Sequence, residues 1–280
     1  MQLYYAIGGG MGHLSRAAAF IYTQKIAAKD IILLTSSPYA AEILPHIKCL
    51  SIPHELTRTP PLLAAKINQI ISEYNISIAY LDAFPTGIVG EWAQVNTRHL
   101  QLHYIARLLD WAAYKPLWSE AVFFQQTYIC EPLTKAHEAD LRQQSANISN
   151  LALTYPPALG FDLRAKFKIT KPLWLIIHSE NAAEIQALYD YAQDIASYEK
   201  TDAHFILITA AAAFDVGGAA IWLKHSAAYA FFPQADKIFT AAGFNLMQQL
   251  RDFRLKHHIL PFPRCFDNQF LRLKRWKDER

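Results

Sequence analysis

The chain has 280 residues, of which 52% are hydrophobic and 18% charged, a composition that excludes an intrinsically disordered protein. The formal net charge of +3 is too small to indicate a nucleic-acid-binding protein. The three cysteines lack paired spacing and therefore predict neither a disulfide framework nor a zinc site. This cysteine usage is typical of a reducing cytoplasm, where we expect the protein, and the N-terminus does not show the pattern of a secretion signal.

Apolar runs of strand length recur along the chain, with segments of helical periodicity between them. Strands are expected at Leu3–Ile7, Ile31–Leu34, Ile78–Leu81, Leu100–Ile105, Tyr128–Ile129, Leu173–Ile177, Phe205–Ile208, Tyr229–Phe232, Lys237–Thr240 and His258–Leu260. These runs are continuously apolar, as in parallel sheets that are covered on both faces. The alternation of strands and helices predicts the α/β class with right-handed crossovers.

The first strand runs into a glycine turn, which contains Gly8, Gly9, Gly10 and Gly12 and ends at His13. Glycines allow positive φ and a close approach of the backbone, and the helix that follows directs its positive dipole end at an anion. A dinucleotide-binding turn would carry glycine in place of His13, and no Walker loop is present. We therefore expect an anion site of another kind.

His13 is the first candidate catalytic residue. The helix dipole at its position would lower the pKa of the imidazole and favour the neutral form, which can accept a proton from a hydroxyl. A capping or packing histidine is the alternative.

Asp82 follows the strand Ile78–Leu81, so it should reach the carboxyl edge of the same sheet. There it would orient His13 or bind an acceptor, although a turn-capping aspartate is at least as frequent. Glu91 is a weaker candidate for an acceptor site. Another strand end is flanked by His103, Tyr104 and Arg107. For each of them, a role in the binding cleft and a role in packing are both open.

The chain should divide between Tyr155 and Lys171, because Tyr155-Pro156-Pro157 cannot continue a helix or a central strand. This predicts an N-terminal domain at 1–155 and a shorter C-terminal domain at 156–280. The apolar stretch from Phe205 to Leu223 contains Asp215 and a glycine pair, and we interpret it as a strand and a loop rather than a membrane span. Peripheral attachment of the protein to a membrane, through a lipid-linked acceptor, is an alternative that the sequence leaves open.

Three segments near the two ends of the chain resemble a known family. They are Gly8-Gly9-Gly10-Met11-Gly12-His13, then Ala235 to Leu246 around Ala242-Gly243-Phe244-Asn245, and finally Pro261-Phe262-Pro263-Arg264 with Asp267-Asn268-Gln269. In this order they are similar to glycosyltransferases of the GT-B architecture, above all to the peptidoglycan N-acetylglucosaminyltransferase (MurG-like) family. The resemblance implies two Rossmann-like lobes that face a cleft, with a nucleotide-sugar donor held by the C-terminal lobe and the acceptor by the N-terminal lobe.

The resemblance also implies roles for individual residues. Gly9, Gly10 and Gly12 would form the glycine loop on the acceptor side, with His13 and Asp82 as the catalytic residues. Donor-binding positions would be Ser179, Gly243, Phe244, Asn245, Gln249, Asp267 and Gln269. The family needs no metal and no other cofactor, in agreement with the absence of an aspartate-x-aspartate triplet in this sequence.

The sequence departs from the family pattern at the donor side. Gln249 stands where the family has a glutamate that binds the ribose, so nucleotide affinity should be lower. The turn at Ser179 lacks the family's glycines. The leading hypothesis is a metal-independent hexosyltransferase that uses a nucleoside diphosphate sugar, with UDP as the expected nucleotide, and an unidentified hydroxyl acceptor. A nucleotide-sugar epimerase and a non-catalytic sugar-nucleotide-binding protein are the alternatives.

Overall fold

A computed structural model describes residues 1–8 and 10–279, which form two compact units. The first unit comprises Met1–Pro156 and Cys265–Asn268, and the second comprises Pro157–Arg264 and the residues from Gln269 onward. The division falls one residue from the predicted position. Four residues that the prediction placed in the second domain, Cys265–Asn268, belong to the first unit.

The first unit is built on a seven-stranded parallel sheet with the order β3-β2-β1-β4-β5-β6-β7. Its strands are β1 (Gln2–Ala6), β2 (Ile31–Thr35), β3 (Lys48–Ser51), β4 (Ile78–Asp82), β5 (Gln101–Ala106), β6 (Gln126–Ile129) and β7 (Ile148–Asn150). Its helices are α1 (Met11–Thr23), α2 (Ala40–Ile43), α3 (Pro60–Glu73), α4 (Trp111–Tyr114) and α5 (Lys135–Gln144).

Both faces of this sheet are covered, as the continuous hydrophobicity predicts. Tyr5 of β1 belongs to the same buried cluster as Ile67 of α3. The preceding residue, Tyr4, points to the other face and packs in a second cluster with Phe20 of α1. Successive strand residues therefore anchor helices on opposite sides of the sheet.

The second unit is built on a five-stranded parallel sheet with the order β10-β9-β8-β11-β12. Its strands are β8 (Leu173–Ile177), β9 (His204–Ile208), β10 (Ile221–Leu223), β11 (Lys237–Ala241) and β12 (His257–Leu260). Its helices are α6 (Leu163–Phe167), α7 (Ala182–Glu199), α8 (Phe244–Gln249) and α9 (Gln269–Asp278). The predicted α/β class with parallel sheets is confirmed.

The predicted strand at Tyr229–Phe232 is wrong, because Ala228–Gln234 forms a 3-10 helix. Phe231 and Phe232 both lie in one buried cluster, whereas neighbouring strand residues would point to opposite faces. The segment from Phe205 to Leu223 is a strand and a loop as expected, with the short strand β10 at its end. Among the described residues, no helix is both long and apolar enough to cross a bilayer.

Candidate active site

The first sheet reverses its strand order at β1 and β4, and the two catalytic candidates lie there. β1 pairs with β2 on one side and with β4 on the other, so the crossovers from β1 and β4 leave in opposite directions. Ligands of open α/β sheets bind at such a point, beyond the carboxyl ends of the strands. His13 follows β1 in the first turn of α1, and Asp82 is the last residue of β4.

His13 and Asp82 are in direct contact. His13 Nδ1 lies 2.5 Å from Asp82 Oδ2, and the Asp82 side chain is fully buried. The ionised carboxylate can only accept, so Nδ1 carries the hydrogen and the lone pair of the neutral imidazole is at Nε2. Nε2 donates to or accepts from no described residue, and the His13 side chain is 14% exposed. The imidazole is therefore partly accessible to solvent.

Two further residues complete the surroundings of Asp82. Arg16 donates from Nε to Oδ1 at 2.5 Å and from Nη2 to Oδ2 at 2.7 Å. The Tyr4 hydroxyl donates to Oδ1 at 3.1 Å. Sequence reasoning missed both residues, although Arg16 follows His13 by three positions and helical spacing places them on one face.

The glycine turn fits closely against His13. A Cβ at Gly8 would lie 2.4 Å from Cδ2 and 2.7 Å from Nε2 of His13, so only glycine leaves room for the imidazole. The Gly8 amide donates to the Ser36 hydroxyl at 3.2 Å, which ties the turn to the end of β2.

The glycines of this turn that the structure describes do not adopt the positive φ that glycine allows. Gly10, the N-cap of α1, has φ −99°, and Gly12 lies within α1. The positive-φ glycines of the described residues are Gly87, Gly90 and Gly217, and Gly9 lies outside the described residues. The requirement for glycine at this turn comes from the close approach of His13 at Gly8.

Burial and charge set the protonation of the pair. Burial lowers the pKa of His13, Asp82 opposes this shift, and Arg16 and Arg107 add to it. The neutral imidazole is as predicted, but desolvation is the main cause. Burial alone would raise the pKa of Asp82, yet Arg16 and then His13 outweigh it and hold that pKa well below its usual range.

Asp267 lies in the first unit, with Arg107. Arg107 Nη1 donates to Asp267 Oδ1 at 2.5 Å, and Asp267 forms an antiparallel bridge with Leu109. The neighbouring Phe266 accepts from the Asp110 amide at 2.9 Å through its carbonyl oxygen. These contacts place Cys265–Asn268 in the first unit, whereas the resemblance assigned Asp267 to a donor site in the C-terminal lobe.

The second sheet reverses its order at β8 and β11, and most of the predicted donor-binding residues follow these strands. Ser179 lies just beyond β8, and its carbonyl oxygen accepts from the Thr209 hydroxyl at 2.8 Å and the Ala210 amide at 2.9 Å. Gly243 is the N-cap of α8 beyond β11, and a Cβ there would meet no atom within 4 Å. The two turns share one edge because β8 and β11 are paired.

The side chains of the predicted donor-binding residues differ in exposure. Phe244 is buried, whereas Asn245 and Gln249 on the same helix are partly exposed. Gln269, at the start of α9, is buried, and its Oε1 accepts from the Phe262 amide at 3.0 Å. Its side-chain oxygen thus has a structural partner in the second unit.

Sequence reasoning did not find a charged cluster beside Ser179. His178 Nε2 lies 2.7 Å from Glu184 Oε2, and Arg264 donates to both oxygens of Glu184, at 2.6 and 2.5 Å. Burial is the main cause of a lowered pKa of His178. Arg264 and His178 outweigh the effect of burial on Glu184 and lower its pKa.

Within residues 1–8 and 10–279, no group of three or more histidine, cysteine, aspartate or glutamate side chains is arranged to hold a metal ion.

Comparison of the sequence with protein-family models and with curated proteins finds no match. Solved structures do match the fold. Spinosyn forosaminyltransferase SpnP aligns over 99% of this chain and 83% of its own, with a TM-score of 0.67 and 8% identity. UGT2 of Phytolacca americana, solved with UDP-2fluoro-glucose and pterostilbene, aligns over 97% and 82%, with a TM-score of 0.61 and 10% identity. A putative UDP-N-acetylglucosamine 2-epimerase from Listeria monocytogenes aligns over 85% and 73%, with a TM-score of 0.57 and 13% identity.

At these identities the similarity concerns the fold. The chain has the two parallel-sheet α/β units of GT-B glycosyltransferases, as the sequence predicts, and sugar-nucleotide epimerases share this fold.

Proposed function

We propose that the protein is a glycosyltransferase that moves a sugar from a nucleoside diphosphate donor to a hydroxyl acceptor, with His13 as the general base. The observation that carries the proposal is the contact of His13 Nδ1 with the buried Asp82, at 2.5 Å, at the point where the first sheet reverses its strand order. A neutral, partly exposed histidine whose Nδ1 is held by a carboxylate suits proton transfer from a hydroxyl to Nε2.

The proposed reaction proceeds as follows. The acceptor hydroxyl gives its proton to Nε2 of His13 while its oxygen attacks the anomeric carbon of the donor. The bond from that carbon to the diphosphate oxygen breaks, and the nucleoside diphosphate leaves with the electron pair. Asp82 stabilises the imidazolium that forms, and His13 then returns the proton to water.

The donor side of the proposal rests on the sequence resemblance to the MurG-like family and on the fold. The backbone at Gly243, Phe244 and Asn245 is proposed to approach the diphosphate without a metal, because amide groups at a helix start favour an anion. A UDP-linked hexose is the proposed donor, and UGT2, whose fold is similar, was solved with a UDP-sugar analogue.

The proposal is tested by incubating the protein with a panel of nucleoside diphosphate sugars, with and without a mixture of phenols, alcohols and sugars as acceptors. Nucleotide release and the mass of the products are followed. The proposal predicts release that depends on an acceptor and a product heavier by one sugar. Donor binding without release would contradict it and would favour a non-catalytic binding protein.

A second candidate function is a nucleotide-sugar epimerase. It is favoured by the cluster of His178, Glu184 and Arg264, because an epimerase needs additional acidic and basic groups near the sugar nucleotide. In the same assay without acceptor, an epimerase would convert the donor sugar into its epimer, with no gain in mass.

A further inference from the structure

The hydrogen bonds around Asp82 leave its carboxylate no freedom. Oδ1 accepts from Arg16 Nε and the Tyr4 hydroxyl, and Oδ2 accepts from Arg16 Nη2 and His13 Nδ1. A carboxylate offers about four acceptor positions, and these four donors fill them. Arg16 alone supplies two donors in the bidentate geometry that fixes a carboxylate plane.

Arg16 also lies close to the imidazole of His13. Its Nη2 lies 3.3 Å from His13 Nδ1, and both atoms share Asp82 Oδ2 as their acceptor. The guanidinium can only donate, and Nδ1 carries the hydrogen that it donates to Asp82, so this short separation is not a hydrogen bond between the two side chains. A proton added to His13 would place a second positive charge beside the guanidinium, in a site where Arg16 is 3% exposed.

We propose that Arg16 is a positioning residue that fixes the carboxylate of Asp82 and, through it, the orientation and the tautomer of the His13 imidazole. Its positive charge adds to the effect of burial, which is the main reason that His13 is neutral. The role of His13 as a base rests on the proposed function. The effect of Arg16 on His13 does not, because it can be measured without substrate.

Other ionisable groups face this cluster from each neighbouring element. Arg107, beyond β5, is the second cation that lowers the pKa of His13, and it is paired with Asp267. Tyr4 on β1, Tyr104 on β5 and Cys130 beyond β6 face Asp82 and Arg16. Burial raises the pKa of all three, that of Cys130 to about 12, so they are neutral at physiological pH. The net charge of His13, Asp82 and Arg16 is therefore zero when His13 is neutral.

The test is a pH titration of the full chain labelled with ¹³C and ¹⁵N in histidine, with the His13 signals assigned from their absence in His13→Gln. In the wild type, the ¹⁵N shifts of neutral His13 should show the hydrogen on Nδ1. In Arg16→Gln, the pKa of His13 should rise by about one unit or more, because a neighbouring positive charge is removed. Arg16→Lys, which restores the charge, should return that pKa at least halfway to the wild-type value.

Arg98→Gln, which removes an exposed arginine, serves as the matched control and should leave the His13 titration unchanged. An unchanged pKa in Arg16→Gln would overturn the proposal. If that variant does not fold, the wild-type spectrum decides, since hydrogen on Nε2 of neutral His13 would also overturn it. A shifted pKa in a protein without transferase activity would support the role of Arg16 and contradict the proposed function.

Discussion

His13 Nδ1 lies 2.5 Å from Asp82 Oδ2, although the two residues are 69 positions apart in the sequence. The contact exists because β1 and β4 are neighbours and end at the same edge of the sheet. Asp82 is fully buried and is held by Arg16, whereas His13 is partly exposed. Asp82 is thus placed to stabilise the fold, whereas His13 is placed to contact a substrate.

Replacing the two members of this pair should have different effects on stability. Asp82→Asn leaves the guanidinium of Arg16 buried without a carboxylate, which should cost about 3 to 5 kcal/mol. His13→Ala keeps the pair of Arg16 and Asp82 and should cost about 1 kcal/mol. Urea denaturation at pH 7.5 measures both free energies of unfolding, and equal losses would show that Arg16 does not depend on Asp82.

A methyl group at Gly8 should displace His13. The added Cβ of Gly8→Ala would overlap the imidazole, which cannot move without leaving Asp82. We expect a shifted His13 imidazole resonance, and the turnover should fall about 100-fold, as for a misplaced catalytic group. Gly10→Ala adds the same methyl group where no atom lies within 4 Å, and it should leave the resonance in place. Unmoved resonances in both variants would refute the close fit.

Acid should destabilise the fold through His137. This fully buried imidazole stacks on Trp111 with ring centroids 4.0 Å apart, and burial lowers its pKa to about 3. Unfolded histidine has a pKa of about 6.5, so below that pH the unfolded chain binds a proton that the folded chain does not. From pH 7.5 to 5 this single residue should reduce the free energy of unfolding by about 2 kcal/mol.

His137→Phe should remove this contribution to the decrease in the free energy of unfolding between pH 7.5 and 5. Denaturation of the wild type and the variant at both pH values measures it. The control is His99→Phe, the same substitution at an exposed histidine, which should keep the wild-type dependence. An identical pH dependence in all three proteins would contradict the assignment to His137.

Asp267→Asn should act on stability rather than on donor binding. Its carboxylate pairs with Arg107, and both side chains are mostly buried. A double-mutant cycle with Arg107→Met should give a coupling energy of about 2 kcal/mol, against less than about 1 kcal/mol for the exposed pair of Lys171 and Asp202. Calorimetric titration with the donor completes the test. A weakened donor affinity with no loss of stability would favour the donor-binding role that the resemblance assigned to Asp267.

Local sequence patterns were sufficient for most of the fold. Continuous apolar runs located β1, β4, β8 and β11, and the strand ends implied that His13 and Asp82 could meet. The short edge strands β3, β7 and β10 were missed because each has only three or four residues, which are partly buried or exposed.

The rest of the site depends on tertiary contacts that no local pattern carries. Arg16 had the right helical spacing from His13, but nothing in the sequence shows that it is buried against Asp82. Asp267 was assigned to the second domain because the resemblance counts it among the donor-binding residues and the predicted boundary precedes it, whereas the structure groups it with Arg107 in the first unit. The cluster of His178, Glu184 and Arg264 joins residues up to 86 positions apart.

The role of His13 is tested by measuring transfer and donor binding on one preparation of His13→Ala, with the donor and acceptor selected from the panel. We expect turnover to fall at least about 100-fold, the usual contribution of a general base, while the donor dissociation constant stays within about threefold of the wild type. Turnover equal to that of the wild type would contradict the assignment of His13 as the base.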